Sequence, residues 1–393
     1  MATIDEPYDI LIVGAGIGGL TAALAAARAG YRVCLLEQAP ALADVGAGIT
    51  LGPNATRVLD WLGLRDALAA AGDTPGPGVI LHYRTGQPLL RVRRDDDYMQ
   101  PGRPGFFQLH RRDLIDLLST AVAALPLCTL RLGARVVRID QAADVRVVLD
   151  TGGEVAGRVL VGADGLRSTV RQALYGDSPP VFTGQVAYRF LVPGEAAAPY
   201  LEQGSSAIAI GPGRLFNRYL VRHGALLNCV AIVRTDAWRE EGWQTPAPPE
   251  ELQAHFADWT DDIRRLCALA APGSVFKWAL FDRPPVSGWS RHGVTLLGDA
   301  AHPMLPFMGL GAALAIEDAC ILGRMLAAEG PTPAALARYA AIRERRCAAA
   351  VYDSRRQGEL YQAANPETYG QPGTVAELRL KYYPYNAVRA ATV

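Results

Sequence analysis

Residues 8 to 19 read YDILIVGAGIGG, a short apolar run that stops on glycines. An Ala-rich, helix-favouring stretch follows at 18 to 29, and a second short run, YRVCLL at 31 to 36, ends at Glu37. Two β-rich runs around a helix-length segment predict a βαβ unit. At its turn Gly14, Gly16 and Gly19 fit G-x-G-x-x-G. Gly14 allows the tight turn, Gly16 lets backbone approach a pyrophosphate, and Gly19 permits close strand–helix packing, while the helix N-terminus favours the anion. Glu37, 18 residues beyond Gly19, can accept hydrogen bonds from ribose hydroxyls. The pattern predicts dinucleotide binding and does not by itself separate NAD from FAD.

Two more short apolar strands, VLVGADG (159 to 165) and GVTLLGDAA (293 to 301), each end in a Gly/Asp pair. Their continuous apolar character suits strands buried on both faces. Between them the texture changes. Segments 185 to 192, 206 to 210, 214 to 222 and 225 to 234 read as a meander, with His223-Gly224 as a hairpin turn. Within 214 to 222, alternation puts Leu215, Asn217, Tyr219 and Val221 on one face. Prolines in TPAPPE (245 to 250) precede one amphipathic helix to about residue 269, and a Thr332 cap with Pro333 starts another to about 362.

Because the nucleotide-type strands come from distant parts of the chain, the second domain is inserted. The expected division is 1–75, 106–180 and 277–330 for a discontinuous nucleotide domain, 76–105 and 181–276 for a substrate domain, and 331–393 for a C-terminal helical segment. The expected fold class is α/β.

With 393 residues there is room for roughly two domains. The 39 basic side chains balance the 39 acidic ones, which leaves no overall field for nucleic acid or an anionic membrane, so a small-molecule partner is expected. The six cysteines show no C-x-x-C pair and no His at zinc-like spacing. They read as free thiols without a metal, which suits a reducing, cytoplasmic setting. The start, MATIDEPYDILIVGAG, lacks the basic region of a signal peptide, and no run approaches about 18 apolar residues. No integral membrane segment is expected.

GADGLRSTVR (162 to 171) and LLGDAAHPMLPFMGLGAALAIEDA (296 to 319), in order after the first fingerprint, resemble the second and third motifs of single-component FAD-dependent aromatic hydroxylases. The salicylate and hydroxynicotinate hydroxylase group is the most similar. GAGITLGPNA (46 to 55) and LHRRDLIDLL (109 to 118) extend the resemblance over nearly the whole chain. It implies a Rossmann-type, glutathione-reductase-like FAD domain with an inserted mixed β-sheet and non-covalent FAD. By the same resemblance Asp299 bonds the ribityl chain, Pro303 to Gly311 wrap the ring edge, and the following helix points its N-terminus at the pyrimidine end. Gly309, Leu310 and Gly311 bring backbone close, Arg111 contacts the flavin, and Asp164 joins the flavin and nicotinamide sides. In the implied reaction NAD(P)H reduces FAD, dioxygen adds, and a flavin hydroperoxide gives one oxygen to an electron-rich ring. With one full fingerprint, NAD(P)H is expected as a visiting co-substrate.

The chain departs from the resemblance at two places. Relatives often carry histidine where Leu215 stands and glutamine where Leu310 stands. The expected substrate pocket is Leu215, Tyr219, Leu310 and Pro306, with one apolar wall. Tyr219 is a candidate proton acceptor or ring anchor. His302 either faces substrate or is a satisfied loop histidine, and Arg189 reads as a solvated strand arginine able to meet a carboxylate. The expected function is hydroxylation of a phenolic or hydroxylated N-heteroaromatic ring. Epoxidation or N-oxygenation of a more apolar molecule is the alternative, and a non-catalytic flavin-fold carrier is a third reading. The expected state is a monomer or homodimer.

Overall fold

The strand Tyr8–Val13 ends in four buried residues and lies between Val33–Leu36 and Glu154–Gly162, both parallel to it. Cys128–Arg131 and Val294–Leu296 extend the parallel set on either side. These relations come from a computed structural model that describes residues 6–42, 48–92, 105–141, 144–235, 245–372, 374 and 377–391. Parts of the sequence reading fall outside them: residues 1–5, Gly46 and Ala47, 93–104 and 236–244. Helix Ile17–Arg28 packs on helix Gly311–Glu329 so closely that a Cβ on Gly323 would lie 2.7 Å from that of Ala25.

The nucleotide-side sheet is not purely parallel. Glu154–Gly162 starts before the expected strand, and its first residues pair antiparallel with Val145–Leu149, which pairs with Val136–Gln141. Val136–Gln141 is largely exposed, so its sequence lacks the apolar run that marks a buried strand.

The second sheet has eight strands. Val181–Pro193 runs antiparallel to Leu226–Arg234 and Phe276–Asp282, and Arg214–Val221 joins Leu226–Arg234 to Ala207–Gly211. Gly78–His82 adds on in parallel to Ala207–Gly211, so residues far apart in the chain share this sheet. The expected hairpin is present. Arg222 and His223 both have φ of 55° and Gly224 has 81°, the left-handed backbone that a tight hairpin requires.

One expectation is corrected. The helix placed at 250 to 269 is two, Pro249–His255 and Asp261–Ala268. Phe256 and Trp259 are both buried at the break with ring centroids 4.8 Å apart, and the Thr260 amide donates to the Tyr83 carbonyl. Residues 277 to 282 lie in the eight-stranded sheet, because Phe276–Asp282 pairs with Val181–Pro193. Helix Pro333–Tyr361 begins and ends where expected, with the Thr332 hydroxyl accepting from Ala335 N, and the described residues beyond it hold the 3-10 turns Pro366–Thr368 and Leu378–Tyr382. Among the described residues no helix is long and apolar enough to cross a membrane.

Candidate active site

The glycines of the first turn divide by purpose. Gly14 has φ of 99° and a Cβ there would sit 2.4 Å from the Ala163 oxygen, and a Cβ on Gly19 would sit 1.9 Å from the Gly14 oxygen. The fold itself needs both. Around Gly16 no atom lies within 4 Å of an added Cβ, so the protein's own packing does not require glycine there. Helix Ile17–Arg28 starts on Gly16 without a side-chain cap or an acidic residue in its first turn. Its leading amides are therefore oriented for an anion. The Glu37 carboxylate accepts from Ala15 N at 2.8 Å and Ala39 N at 2.9 Å, which pins it at the turn with lone pairs to spare.

The second and third motifs are tied together. Asp164 accepts from Ser168 Oγ at 2.5 Å and Val170 N at 3.1 Å, so it shapes the entry to helix Thr169–Tyr175. Arg171, on that helix, donates from Nη1 to the carbonyls of Ala300 and Ala301, both at 3.0 Å. Asp299 sits in the 3-10 turn Gly298–Ala300 rather than at the strand end, since the strand stops at Leu296. It is exposed between two buried residues, yet desolvation pushes its carboxyl up while His302 and Arg111 pull it down. A concave wall reconciles the two: crowded by protein, open to a ligand. Arg111 opens helix Arg111–Ala123, whereas Arg112 pairs with Asp116 at 2.7 Å.

Beyond the turn Pro303, Leu305, Phe307 and Met308 are buried while Pro306 and Gly309 are exposed. Gly309 has φ of 63° and open space where a Cβ would be. Helix Gly311–Glu329 starts on Leu310, which offers no cap, with no acidic residue in its first turn. Two uncapped helix starts, two glycines facing open space and two carboxylates at turns suit a dinucleotide with a flavin ring. FAD fits the residues present.

His302 is a correction. It is 1% exposed, its Nε2 lies 2.6 Å from Asp318 Oδ2, and its ring stacks on Trp289 at 5.4 Å, so it lines no open surface. The sequence reading missed what holds it. Glu317 and Asp318, buried on helix Gly311–Glu329, pair with Arg343 and Arg346 of the next helix, and Glu317 also accepts from Asn54 Nδ2 at 2.7 Å. The signal was an acidic pair inside an apolar run, matched by two arginines three residues apart. His302, Asp318 and Cys347 offer metal-capable atoms within 4.8 Å of one another, but the Arg343 guanidinium donates to both Asp318 and Cys347 and already supplies a cation.

On the eight-stranded sheet Tyr219 is buried, and its ring lies where a Cβ on Gly48 would come within 2.5 Å of Cε2. Asn228, its partner in register, accepts from Gly48 N at 2.7 Å. Burial pushes the Tyr219 phenol well above its ordinary value, against a hydrogen bond with Thr50 and the charge of Arg189. Burial therefore favours its protonated form. It is a hydroxyl and a ring.

Arg189 is not solvated: it is 9% exposed and its guanidinium carbon lies 5.2 Å from the Trp278 ring centroid, because its strand is interior to the eight-stranded sheet. Leu215 packs in an apolar group with Leu305, Phe307, Tyr361 and Tyr369, whereas Leu310 belongs to the core of the nucleotide side.

A family model described as FAD binding domain matches residues 7–354. The chain is similar to the 3-amino-4-hydroxybenzoate 2-monooxygenase of Streptomyces platensis, with 36% identity over 85% of this chain and 83% of that one. It is 34% identical to the 3-hydroxybenzoate 6-hydroxylase of Klebsiella oxytoca over 91% of this chain and 89% of the relative. Among solved structures, a salicylate hydroxylase substrate complex superimposes with a TM-score of 0.80 at 27% identity, covering 97% of this chain and 96% of the other. The chain belongs to the FAD binding domain family, as an FAD-dependent aromatic monooxygenase.

Proposed function

We propose that the chain takes electrons from NAD(P)H and hydroxylates a phenolic or hydroxylated N-heteroaromatic ring held between the Pro303–Gly311 loop and the face of the substrate-side sheet that carries Tyr219. The observation that carries this reading is that face: Tyr219, Leu215, Arg189 and Trp278 lie on it, and Leu215 packs with Leu305 and Phe307 of the loop. Bound FAD supplies electron storage and dioxygen activation. The chain's own residues do the rest. Tyr219 donates a hydrogen bond to a ring oxygen, the indole of Trp278 backs the Arg189 cation, and the apolar residues around Leu215 exclude water. Arg189 suits a ring that bears a carboxylate or phenolate.

A site for the donor is supported by a second group of residues. Arg167, Ser168, Gln172 and Arg283 line a cavity of about 250 Å³. Arg283 is 9% exposed, its Nε makes no hydrogen bond, and its guanidinium is held below its ordinary value by burial and by the charge of Arg167, against Asp177, while burial and the charge of Arg283 lower Arg171. Mutual repulsion of this kind is relieved by an anion such as the pyrophosphate of NAD(P)H.

The test is a panel of aromatic acids, phenols and hydroxypyridines scored for stimulated NAD(P)H consumption and for oxygenated product. Ring-hydroxylated product with consumption of the donor is expected. An epoxide or N-oxide from an apolar compound, with phenols inert, would replace this reading with the alternative that the apolar surroundings of Leu215 also suit.

A further inference from the structure

Asn228 is fully buried, yet the fold uses only one arm of its amide. Its Oδ1 accepts from Gly48 N at 2.7 Å, while Nδ2, buried as well, has no hydrogen-bond partner among the described residues. The Gly48 bond fixes which arm is which, since a turned amide would set its NH2 group against the Gly48 N–H. A buried donor without an acceptor is costly, and a fold retains one where something outside the chain supplies the acceptor.

The unused donor lies on the face that carries Tyr219. Asn228 is on Leu226–Arg234, a strand interior to the eight-stranded sheet, with Tyr219 and Leu191 as its neighbours in register. One row along, Val230 stands between Asn217 and Arg189, so alternation turns Asn228 to the same side as Arg189. Gly48, the first residue of strand Gly48–Leu51, brings backbone against the pair. A Cβ there would lie 2.8 Å from both the Tyr219 hydroxyl oxygen and Asn228 Cγ, so these two groups are at most twice that distance apart. Two neutral hydrogen-bonding groups therefore converge, and Nδ2 does not bond the hydroxyl beside it.

We propose that Asn228 is a specificity-determining residue for the ring, its Nδ2 and the Tyr219 hydroxyl donating together to one ring oxygen that carries no proton, a phenolate or the carbonyl of a pyridone. This rests on the reading that the face carrying Tyr219 holds the ring. An oxygen of that kind offers a lone pair to each donor, whereas a ring that lacks it leaves Nδ2 unpaired in a site emptied of water. The Gly48 bond holds the amide in one orientation, so the donor is in place before the ring arrives.

The experiment measures dissociation constants for the FAD-loaded protein, from changes in flavin absorbance, with two pairs of probes: a hydroxybenzoate with benzoate, and a hydroxypyridine with pyridine. Each pair gives one ratio, the affinity of the oxygenated ring over that of its deoxy counterpart. Asn228→Asp keeps an oxygen for Gly48 N and replaces the donor by an acceptor, so the ratio should fall about tenfold or more, with FAD affinity at the wild-type value. Tyr219→Phe leaves Asn228 untouched as the remaining donor, and there the ratio should stay about tenfold above unity. An unchanged ratio in Asn228→Asp, or a ratio near unity in Tyr219→Phe, overturns the proposal. So does an equal loss for both members of a pair, which would leave Asn228 as a tie to Gly48 alone. A wild type that binds neither member of either pair removes the ring from this face, and the role of Asn228 with it.

Discussion

The turn at Gly14 to Gly19 and the sheet face around Tyr219 do their work with different parts of the chain. At the turn the functional groups are backbone amides, and glycine decides what they can reach: Gly14 and Gly19 have backbone 2.4 and 1.9 Å from where a Cβ would be, whereas Gly16 faces open space. On the sheet face the proposed functional groups are side chains that antiparallel pairing gathers from 189, 215, 219 and 278. One region is written in consecutive residues. The other exists only after the sheet has formed.

The largest expected effect tests the first half. Gly19→Ala forces a methyl into the Gly14 carbonyl, where neither backbone can yield, and should cost about 3 kcal/mol of stability with loss of yellow colour. Thermal unfolding and the visible spectrum decide it: a yellow variant of unchanged Tm means the turn is not built on close approach.

That difference also explains what the sequence could tell. The first βαβ unit, the inserted position of the second sheet and the Thr332 start of the last long helix are legible because local pattern decides them. The antiparallel strands Val136–Gln141 and Val145–Leu149 are not, since exposure on one face breaks the apolar run. Arg189 reads as solvated because nothing local reveals that its strand is interior to an eight-stranded sheet. His302 reads as a possible catalyst because Asp318, 16 residues on, captures it only after helix Gly311–Glu329 folds back.

A next-largest effect concerns the cation of the sheet face. Arg189→Met keeps much of the volume over Trp278 and removes the charge, so kcat/KM for rings bearing a carboxylate should fall about 10- to 150-fold, from about 1.5 to 3 kcal/mol for a hydrogen bond to a charged group. Neutral phenols should be affected less. Equal losses for both would confine Arg189 to packing.

The smallest expected effect on stability sharpens the division within the turn. Gly16→Ala should leave stability within about 0.5 kcal/mol, since no protein atom lies near, while weakening FAD retention. Equal damage to both would merge Gly16 with Gly14 and Gly19. On the pH axis, the raised Tyr219 phenol keeps its proton as pH rises through the neutral and mildly alkaline range. The pH profile of product yield should then show no inflection that Tyr219→Phe removes, and finding one would return Tyr219 to the role of base.

The central claim is that the two regions are separable, one holding FAD and the other holding the ring. The most direct measurement is the ratio of hydroxylated product to NAD(P)H consumed by Tyr219→Phe at full FAD occupancy. Loss of the ring's hydrogen bond should lower that ratio several-fold or more and divert electrons to hydrogen peroxide, with FAD affinity unchanged. A wild-type ratio would contradict the account, as would a fall that tracks loss of FAD.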